Sequence, residues 1–268
     1  MTIVSTDAAR LWRLYAEHAA VLFRAGPRPT FHATDRWFFA ATGSDHVDLN
    51  QAALFGLADA EDAELLARRV VAADVPCLLG CSGGVLKRVA PALTRAGFAR
   101  LPIREAFFWG PGPPQALEPS AFDVRRVRST LDVIAMHAMF HEAHGYDPAA
   151  IAALYGERVK ADDGFSAWLA WDGPEPISFA IVIEAGPALS IWEVMTPKRH
   201  RRRGGARAVV NAALAGAAAV AARPIEETLF WASPAGRPLY EAMGFVIADE
   251  VDAWTLAASA EDLAAVGA

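Results

Sequence analysis

A proline-rich stretch near the middle of the chain is the feature that most constrains its fold. Four prolines and two glycines lie between Gly110 and Pro119. Proline fixes φ and has no amide donor, so this stretch favours neither a helix nor a central strand. We therefore predict a linker here, with one domain over residues 1–112 and a second over residues 118–268.

The length and composition suit two modest globular domains. The chain has 268 residues, of which 54% are hydrophobic, and this content excludes an intrinsically disordered protein. The most apolar run, residues 208–222, is shorter than the roughly 20 residues that cross a bilayer. The first residues have no apolar signal-peptide core, so we expect a cytoplasmic protein with no membrane partner.

Strand and helix patterns alternate beyond the linker in the order β, α, α, β, β, β, α, β, α, β. Strand-like runs flank Asp172-Gly173-Pro174, which predicts a hairpin, and Asp147-Pro148 is typical of a helix start. A strand over residues 189–195 precedes an alanine-rich helix at about 206–222. Local hairpins with one helical crossover predict an α/β (α+β) fold, in which a mixed central sheet is flanked by helices.

The chain also contains an internal repeat. A shift of 147 residues aligns Gly97-Phe98 with Gly244-Phe245, each pair after a short helix and before a strand. The first copy has Leu93 where the second has Tyr240, and it has no counterpart of the basic loop at residues 197–206. The repeat predicts two tandem copies, of which the first keeps the scaffold and has lost the chemistry.

The basic, glycine-containing loop at residues 197–206 lies between a predicted strand and a predicted helix. The first turn of a helix has unpaired amides and the positive end of a dipole, and glycines let the main chain approach an anion. The loop therefore predicts a diphosphate site. It is neither a P-loop nor a dinucleotide-binding GxGxxG motif.

Two other interpretations of this loop stay open, a solvated basic loop and a nucleic-acid patch. The net charge of −6 and the pI of about 5.7 disfavour the second, because nucleic-acid binders present basic charge over a whole face. We therefore expect no nucleic-acid partner.

Residues 118–257 resemble the GNAT superfamily of N-acetyltransferases, which use acetyl-coenzyme A (acetyl-CoA). The resemblance rests on the strand Ser190-Ile-Trp-Glu-Val-Met195, on Arg201-x-x-Gly204-x-Ala206, and on Ser233-x-x-Gly236-x-x-Leu239-Tyr240-Glu241-x-x-Gly244-Phe245. It implies a GNAT-like mixed sheet and acetyl-CoA as co-substrate. The first segment resembles a degenerate copy, so the chain looks like a tandem GNAT protein.

The resemblance also implies roles for particular residues. The main chain of residues 194–196 would pair with the pantetheine arm, the amides of residues 203–207 would bind the diphosphate, and Tyr240 would protonate the departing thiolate. The residues expected to contact the coenzyme are Val194, Met195, Thr196, Arg201, Arg202, Arg203, Gly204, Gly205, Ala206, Arg207 and Ser233.

Acyl transfer to an amine needs a base, because a protonated amine has no lone pair for attack. Glu193 is our first candidate, since a carboxylate in an apolar cleft has its pKa raised toward neutrality. The alternative is that Glu193 faces solvent or pairs with a nearby arginine.

His137, His141 and His144 share one helical face, which also fits a metal site. No distant fourth ligand is evident from the sequence, so we expect no metal.

Together these patterns predict a cytoplasmic acyl-CoA-dependent N-acyltransferase, with Tyr240 and Glu193 as its catalytic residues. The acceptor would be a small-molecule or peptide amine, and both a monomer and a homodimer fit. An alternative function is a non-catalytic acyl-CoA-binding sensor or assembly module. A third is a nucleic-acid or partner-binding protein that uses the basic loop.

Overall fold

The computed structural model describes residues 8–112, 120–146, 148–161 and 164–256. The chain forms two compact units: unit 1 takes Met1–Phe108 and Trp231–Ala268, and unit 2 takes Trp109–Phe230. The predicted helix start at Asp147 and residues 113–119 of the predicted linker lie outside the described residues. Gly110 and Pro111, also predicted as linker, instead end a strand, where the missing proline amide is tolerated.

Seven helices and eleven strands are formed by the described residues. In chain order they are α1 (Ala8–Phe23), β1 (Thr30–Ala33), β2 (Trp37–Ala41), β3 (Asn50–Leu54), α2 (Ala60–Ala73), β4 (Cys77–Ser82), α3 (Leu86–Arg95), β5 (Ala99–Pro111), β6 (Asp123–Arg126), α4 (Thr130–His144), α5 (Pro148–Tyr155), β7 (Phe165–Asp172), β8 (Glu175–Ala185), β9 (Ala188–Met195), α6 (Gly205–Val220), β10 (Glu227–Ala232), α7 (Arg237–Ala242) and β11 (Val246–Leu256). Short 3-10 turns occur at Val47–Leu49, Glu157–Lys160 and Lys198–His200.

The sheet of unit 1 has the strand order β1-β2-β3-β4-β11-β5. Strands β3 and β4 are parallel and joined through α2, whereas β1, β2 and β3 form an antiparallel meander. Helices α2 and α3 bury Leu66 and Val89 against one face. On the opposite face, α1 stacks Trp12 on Phe55 and Phe107, at centroid distances of 5.9 and 4.3 Å.

Strand β11 is paired with β4, although it lies at the other end of the sequence. Residues Val251–Leu256 run antiparallel to Cys77–Ser82. In unit 2, the end of β5 lies beside β10, where the Gly112 amide donates to the Glu226 carbonyl at 2.7 Å. The compact units therefore do not follow the predicted boundary at the linker, and the division into copies at 1–112 and 118–268 stays a prediction.

The two halves of the chain repeat the same series of elements, strand, helix, strand, helix and strand. In the first half the series is β3-α2-β4-α3-β5, and in the second it is β9-α6-β10-α7-β11. Both series start with a parallel strand pair joined through a helix. Gly97 and Gly244, aligned by the predicted repeat, end α3 and α7 with φ values of 92° and 88°. These shared features support the predicted repeat.

The sheet of unit 2 continues from the end of β5 in the order β10-β9-β8-β7-β6. Its strands β6 to β9 are antiparallel neighbours, and β9 and β10 are parallel and joined through α6. Helix α6 packs closely on this sheet, because a Cβ at Gly216 would lie only 2.1 Å from the Trp168 indole. The expectation of a mixed sheet flanked by helices is confirmed.

Helices α4 and α5 complete unit 2 with an aromatic cluster formed by Phe140, Tyr155, Phe165 and Phe179. Helix α4 begins after Ser129, whose hydroxyl accepts from the Asp132 amide at 3.1 Å. Among the described residues, every helix is too short or too polar to cross a membrane.

The buried carboxyl of Glu105 on β5 makes the stability of unit 1 dependent on pH. Its side chain is 6% exposed, and burial raises its pKa from 4.5 to about 7. The folded state therefore holds this proton more tightly than the unfolded state does. The stabilisation is fully present below pH 4.5 and is lost as the pH rises through 7, at a cost of about 3 kcal/mol.

We expect Glu105→Gln to raise the melting temperature at pH 8.5, where the wild type must bury a charge, and to raise it less or not at all at pH 5. Thermal unfolding of both proteins at the two pH values measures this difference. Glu17→Gln, at an exposed glutamate of α1, is the control and should show no such pH dependence. An equal effect of Glu105→Gln at both pH values would contradict the prediction.

Candidate functional site

Strand β9 contains a β-bulge that sets the orientation of Glu193. Trp192 pairs with Ile181 and Met195 pairs with Phe179, so Glu193 and Val194 together oppose one residue of β8. Glu193 adopts a left-handed conformation with φ of 43°, which few non-glycine residues do. In this conformation, the half-buried Glu193 side chain meets the hydroxyl of Tyr155, which donates to Glu193 Oε1 at 3.4 Å.

Strands β9 and β10 pair for only three residues, Ala188–Ser190 against Glu227–Leu229. Strand β9 continues to Met195, so its last five residues lie beyond the end of this ladder. The segment predicted to pair with pantetheine, residues 194–196, comprises the end of this continuation and the residue after it. Buried Ser178 holds it in place, since its hydroxyl donates to the Met195 carbonyl at 2.8 Å and lies 2.8 Å from Thr196 Oγ1.

Helix α6 starts at Gly204 without a side-chain cap. Gly204 is left-handed, with φ of 90°, and the first helical bond runs from the Ala208 amide to the Gly204 carbonyl at 3.0 Å. The amides of Gly205 and Ala206 come before that bond, at the positive end of the helix. Arg202 is also left-handed, with φ of 67°, and such alternation turns successive amides into an anion-binding concavity.

The arginines of this loop divide into two groups. Arg199 is ion-paired with Glu142 on α4 and lies 3.6 Å from Glu175 on β8. Arg203 is ion-paired with Asp172, at the end of β7. These acidic residues neutralise part of the basic loop and hold it against α4 and the β7-β8 hairpin.

Arg201 and Arg202 are exposed and have no acidic partner among the residues that the structure describes, whereas the predicted contact Arg207 is half-buried in the first turn of α6. The Arg201 Nε donates to the Thr196 carbonyl at 3.2 Å, which folds this side chain back toward the end of β9. Arg202 makes no ion pair and no side-chain hydrogen bond within the described ranges. Of the loop's four arginines, Arg201 and Arg202 thus keep charge for an anionic ligand.

Gly205 has a packing role that the sequence did not suggest. A Cβ at this position would lie 3.1 Å from Ile177 Cδ1 and 3.3 Å from Ser178 Cβ. Gly204, in contrast, has open space around its missing Cβ and requires glycine because of its φ. One glycine therefore shapes the anion-facing turn, and the other lets α6 approach β8.

Tyr155 is a site residue that the sequence analysis missed. It is 1% exposed, and its ring stacks on Phe140 at a centroid distance of 4.9 Å. His137 Nε2 lies 3.1 Å from the Tyr155 carbonyl oxygen, so this imidazole contacts the main chain. Nothing in the pattern around Tyr155 distinguishes it from a core residue, because its contact with Glu193 depends on the bulge in β9.

Among the described residues, no group of three histidine, cysteine, aspartate or glutamate side chains could hold a metal ion. The side chain of His144 lies outside the described part of the chain.

Tyr240 and Ser233, the other two predicted site residues, lie in unit 1. Tyr240 is 6% exposed on α7, where its ring lies 5.6 Å from that of Phe108, and burial raises the pKa of its hydroxyl. Ser233 is exposed, and its carbonyl accepts from the Gly236 amide at 3.1 Å. The structure thus brings Glu193, residues 194–196 and the basic loop together in unit 2.

In unit 1, the elements that correspond to β9 and α6 are β3 and α2, and they disfavour the binding of an anion. Helix α2 is capped by Asp59, which accepts from the amides of Glu61 and Asp62 at 2.9 and 3.2 Å. Three carboxylates therefore surround the helix start that corresponds to the start of α6. The parallel ladder also pairs four of the five residues of β3, Gln51–Leu54, with β4.

A comparison with protein families identifies the second half of the chain. Residues 132–245 match the model of the acetyltransferase (GNAT) family. No curated protein matches the chain by sequence.

Several solved structures are similar to the chain in fold. A GCN5-related N-acetyltransferase from Kribbella flavida has a TM-score of 0.65 and 15% identity, over 96% of this chain and 98% of the other. A GCN5-related N-acetyltransferase from Sphaerobacter thermophilus has a TM-score of 0.59 and 15% identity, over 82% and 76% of the two chains. A tandem GNAT protein from the clavulanic acid biosynthesis pathway has a TM-score of 0.54 and 12% identity, over 96% of both chains.

These similarities confirm the expected GNAT-like fold, and the family match covers the bulged strand, the basic loop and α7. Residues 132–245 of this chain form a GNAT-family acetyltransferase domain.

Proposed function

We propose that this domain moves an acetyl group from acetyl-CoA to a primary amine by direct attack of the amine on the thioester. The observation that carries the proposal is the uncapped start of α6 at Gly204, which follows the strand that leaves the β9/β10 ladder. The family match over residues 132–245 supports acetyl-CoA as the co-substrate. The acceptor class is a small-molecule or peptide amine.

In this proposal, the coenzyme lies along the end of β9 and reaches the start of α6. The main chain of residues 194–196 pairs with the pantetheine arm, while amides of residues 203–207 and the side chains of Arg201 and Arg202 bind the diphosphate. An anion at a helix start gains at most about 2 kcal/mol, whereas micromolar binding needs about 8 kcal/mol. The arm must therefore supply much of the affinity.

Glu193 is the proposed base. The acceptor arrives as an ammonium ion, and a Glu193 oxygen takes its proton directly or through a water molecule, which frees the lone pair for attack. The nitrogen then adds to the carbonyl carbon, and the tetrahedral intermediate gives its second amine proton to solvent as the C–S bond breaks and the coenzyme thiolate is released. No covalent enzyme intermediate is required, because both substrates are held together on the domain.

Tyr240 is the proposed donor to the departing thiolate, on the resemblance of its motif to that of the family. Its raised pKa keeps the hydroxyl protonated at neutral pH. A buried phenol of this kind stabilises the thiolate by hydrogen bonding more readily than by giving up its proton. Ser233, in the same segment, stays a predicted coenzyme contact.

Each chain is proposed to bind one coenzyme molecule. The acidic cap at Asp59 and the nearly complete β3-β4 ladder oppose a second site in unit 1. This contrast supports the view of the first half as a degenerate copy. The ion pairs of Arg199 and Arg203 also disfavour the nucleic-acid alternative, because these charges are already neutralised.

We expect Arg202→Ala to weaken acetyl-CoA binding about tenfold, since the loss of one charge-assisted contact costs about 1.5 kcal/mol. Calorimetry measures the affinity and should give one site per chain for the wild type. Arg69→Ala, at an exposed arginine of α2, is the matched control and should bind like the wild type. Wild-type affinity in Arg202→Ala would remove this side chain from the site.

We expect Glu193→Gln to lower turnover roughly 100-fold or more, because the amide accepts no proton from the acceptor. Its affinity for acetyl-CoA should change little. The assay is thiol release from acetyl-CoA with a panel of primary amines. A wild type that binds acetyl-CoA but acetylates no amine in the panel would instead favour the sensor or assembly module.

We expect Tyr240→Phe to lower turnover roughly tenfold, the value of one hydrogen bond to the thiolate, and to leave acetyl-CoA affinity nearly intact because the ring persists. Steady-state kinetics and calorimetry on the same protein separate the two effects. Unchanged turnover would exclude Tyr240 from the mechanism.

A further inference from the structure

We propose that Tyr155 is the positioning residue for Glu193: its hydroxyl holds the carboxylate in the orientation for proton abstraction and sets the pH above which the base works. The inference rests on the proposed function, because that function gives Glu193 its role. Its basis is the hydrogen bond from the Tyr155 hydroxyl to Glu193 Oε1, at 3.4 Å.

Glu193 needs such a partner because its main chain is in an unusual conformation. Its left-handed φ of 43° directs the side chain from a bulge rather than from a regular strand, where alternation would fix its face. A glutamate has three side-chain torsions, and a base acts efficiently only when its oxygen points at the proton it takes. A hydrogen bond at one carboxylate oxygen restricts these torsions.

Tyr155 is rigid enough to provide this restraint. It is 1% exposed, and its ring is stacked between those of Phe140 at 4.9 Å and Phe165 at 6.4 Å. Its carbonyl contacts His137 Nε2 at 3.1 Å. The chain is also tight at the next residue, where a Cβ on Gly156 would lie 2.4 Å from the Ala152 carbonyl oxygen. Packing and main-chain contacts thus fix the direction of the hydroxyl before any ligand binds.

A donor that points at a carboxylate stabilises its charged form, so Glu193 loses its proton at a lower pH than it would without Tyr155. Other ionisable groups lie on the elements around this pair. Helix α4 carries His137, His141 and Glu142, of which Glu142 is ion-paired with Arg199. The turn after α5 carries Arg158, whose guanidinium lies 4.5 Å from the centroid of the Phe165 ring. Because an imidazole lies on the helix next to this pair, the experiment also needs a control at His137.

The experiment is the pH profile of kcat/KM for the acceptor, measured with Tyr155→Phe in the full chain at saturating acetyl-CoA. Removal of the donor should move the acidic limb to higher pH by roughly half to one unit, the equivalent of about 1 kcal/mol. The KM for acetyl-CoA should not change. Turnover should fall most at low pH and least on the alkaline plateau.

Tyr15→Phe is the matched control. It removes the hydroxyl of another buried tyrosine, which donates to Gln51 Oε1 at 3.3 Å in unit 1. It should leave the acidic limb in place even if it lowers the melting temperature. His137→Gln keeps a donor toward the Tyr155 carbonyl without an imidazole, and an acidic limb that survives in this variant is not the titration of His137.

Glu193→Gln separates failure of this inference from failure of the proposed function. If it abolishes the acidic limb while Tyr155→Phe leaves that limb at the wild-type pH, the positioning role is wrong and the base assignment stands. If the limb persists in Glu193→Gln, the base assignment is wrong, and the role of Tyr155 is wrong with it.

A second measurement needs no activity and so applies even where a variant turns over too slowly to assay. The carboxyl carbon of Glu193 is followed by NMR in protein labelled with ¹³C-glutamate, and its resonance is assigned from its loss in Glu193→Gln. The titration midpoint should rise in Tyr155→Phe and stay unchanged in Tyr15→Phe. Equal midpoints in the wild type and Tyr155→Phe would overturn the proposal.

Discussion

Strand β9 pairs with β8 along its length but with β10 for only three residues, and the candidate site depends on this partial pairing. Main-chain groups that leave a ladder must be satisfied in another way, since unpaired buried amides and carbonyls are costly. Here Ser178 holds the carbonyl of Met195, and the bulge at Glu193 turns a carboxylate toward Tyr155. One irregular strand thereby places main chain beyond the ladder next to a carboxylate, and the proposed function uses the first for the coenzyme and the second as the base.

The ion pairs of the basic loop determine which of its arginines have acidic partners, and they contribute little to the stability of the fold. The ion pairs of Arg199 and Arg203 are about half exposed, and solvent-screened pairs of that kind contribute little to stability. Their effect is to select which charges of a basic loop face a ligand. The start of α2 carries charge of the opposite sign, because Asp59 and its neighbours place negative charge there. Two equivalent helix starts therefore have opposite preferences for an anion.

Much of this fold could be predicted from local patterns. The β7-β8 hairpin at Gly173 and the helix after Gly204 depend on residues close in sequence, and both predictions are confirmed. The pairing of β11 with β4 could not be predicted, because it joins residues about 170 positions apart whose strand patterns fit several partners. The contact of Tyr155 with Glu193 depends in turn on a left-handed residue that the sequence does not mark.

The pairing of β11 with β4 gives the first half of the chain a structural role. Strand β11 follows directly after the segment of Tyr240, and its antiparallel neighbour is supplied by the half whose helix start is acidic. A truncation that removed the first half would expose the hydrophobic edge of β11, and exposed strand edges promote aggregation. The first half of the chain therefore supplies a strand partner that β11 needs, independently of any ligand site of its own.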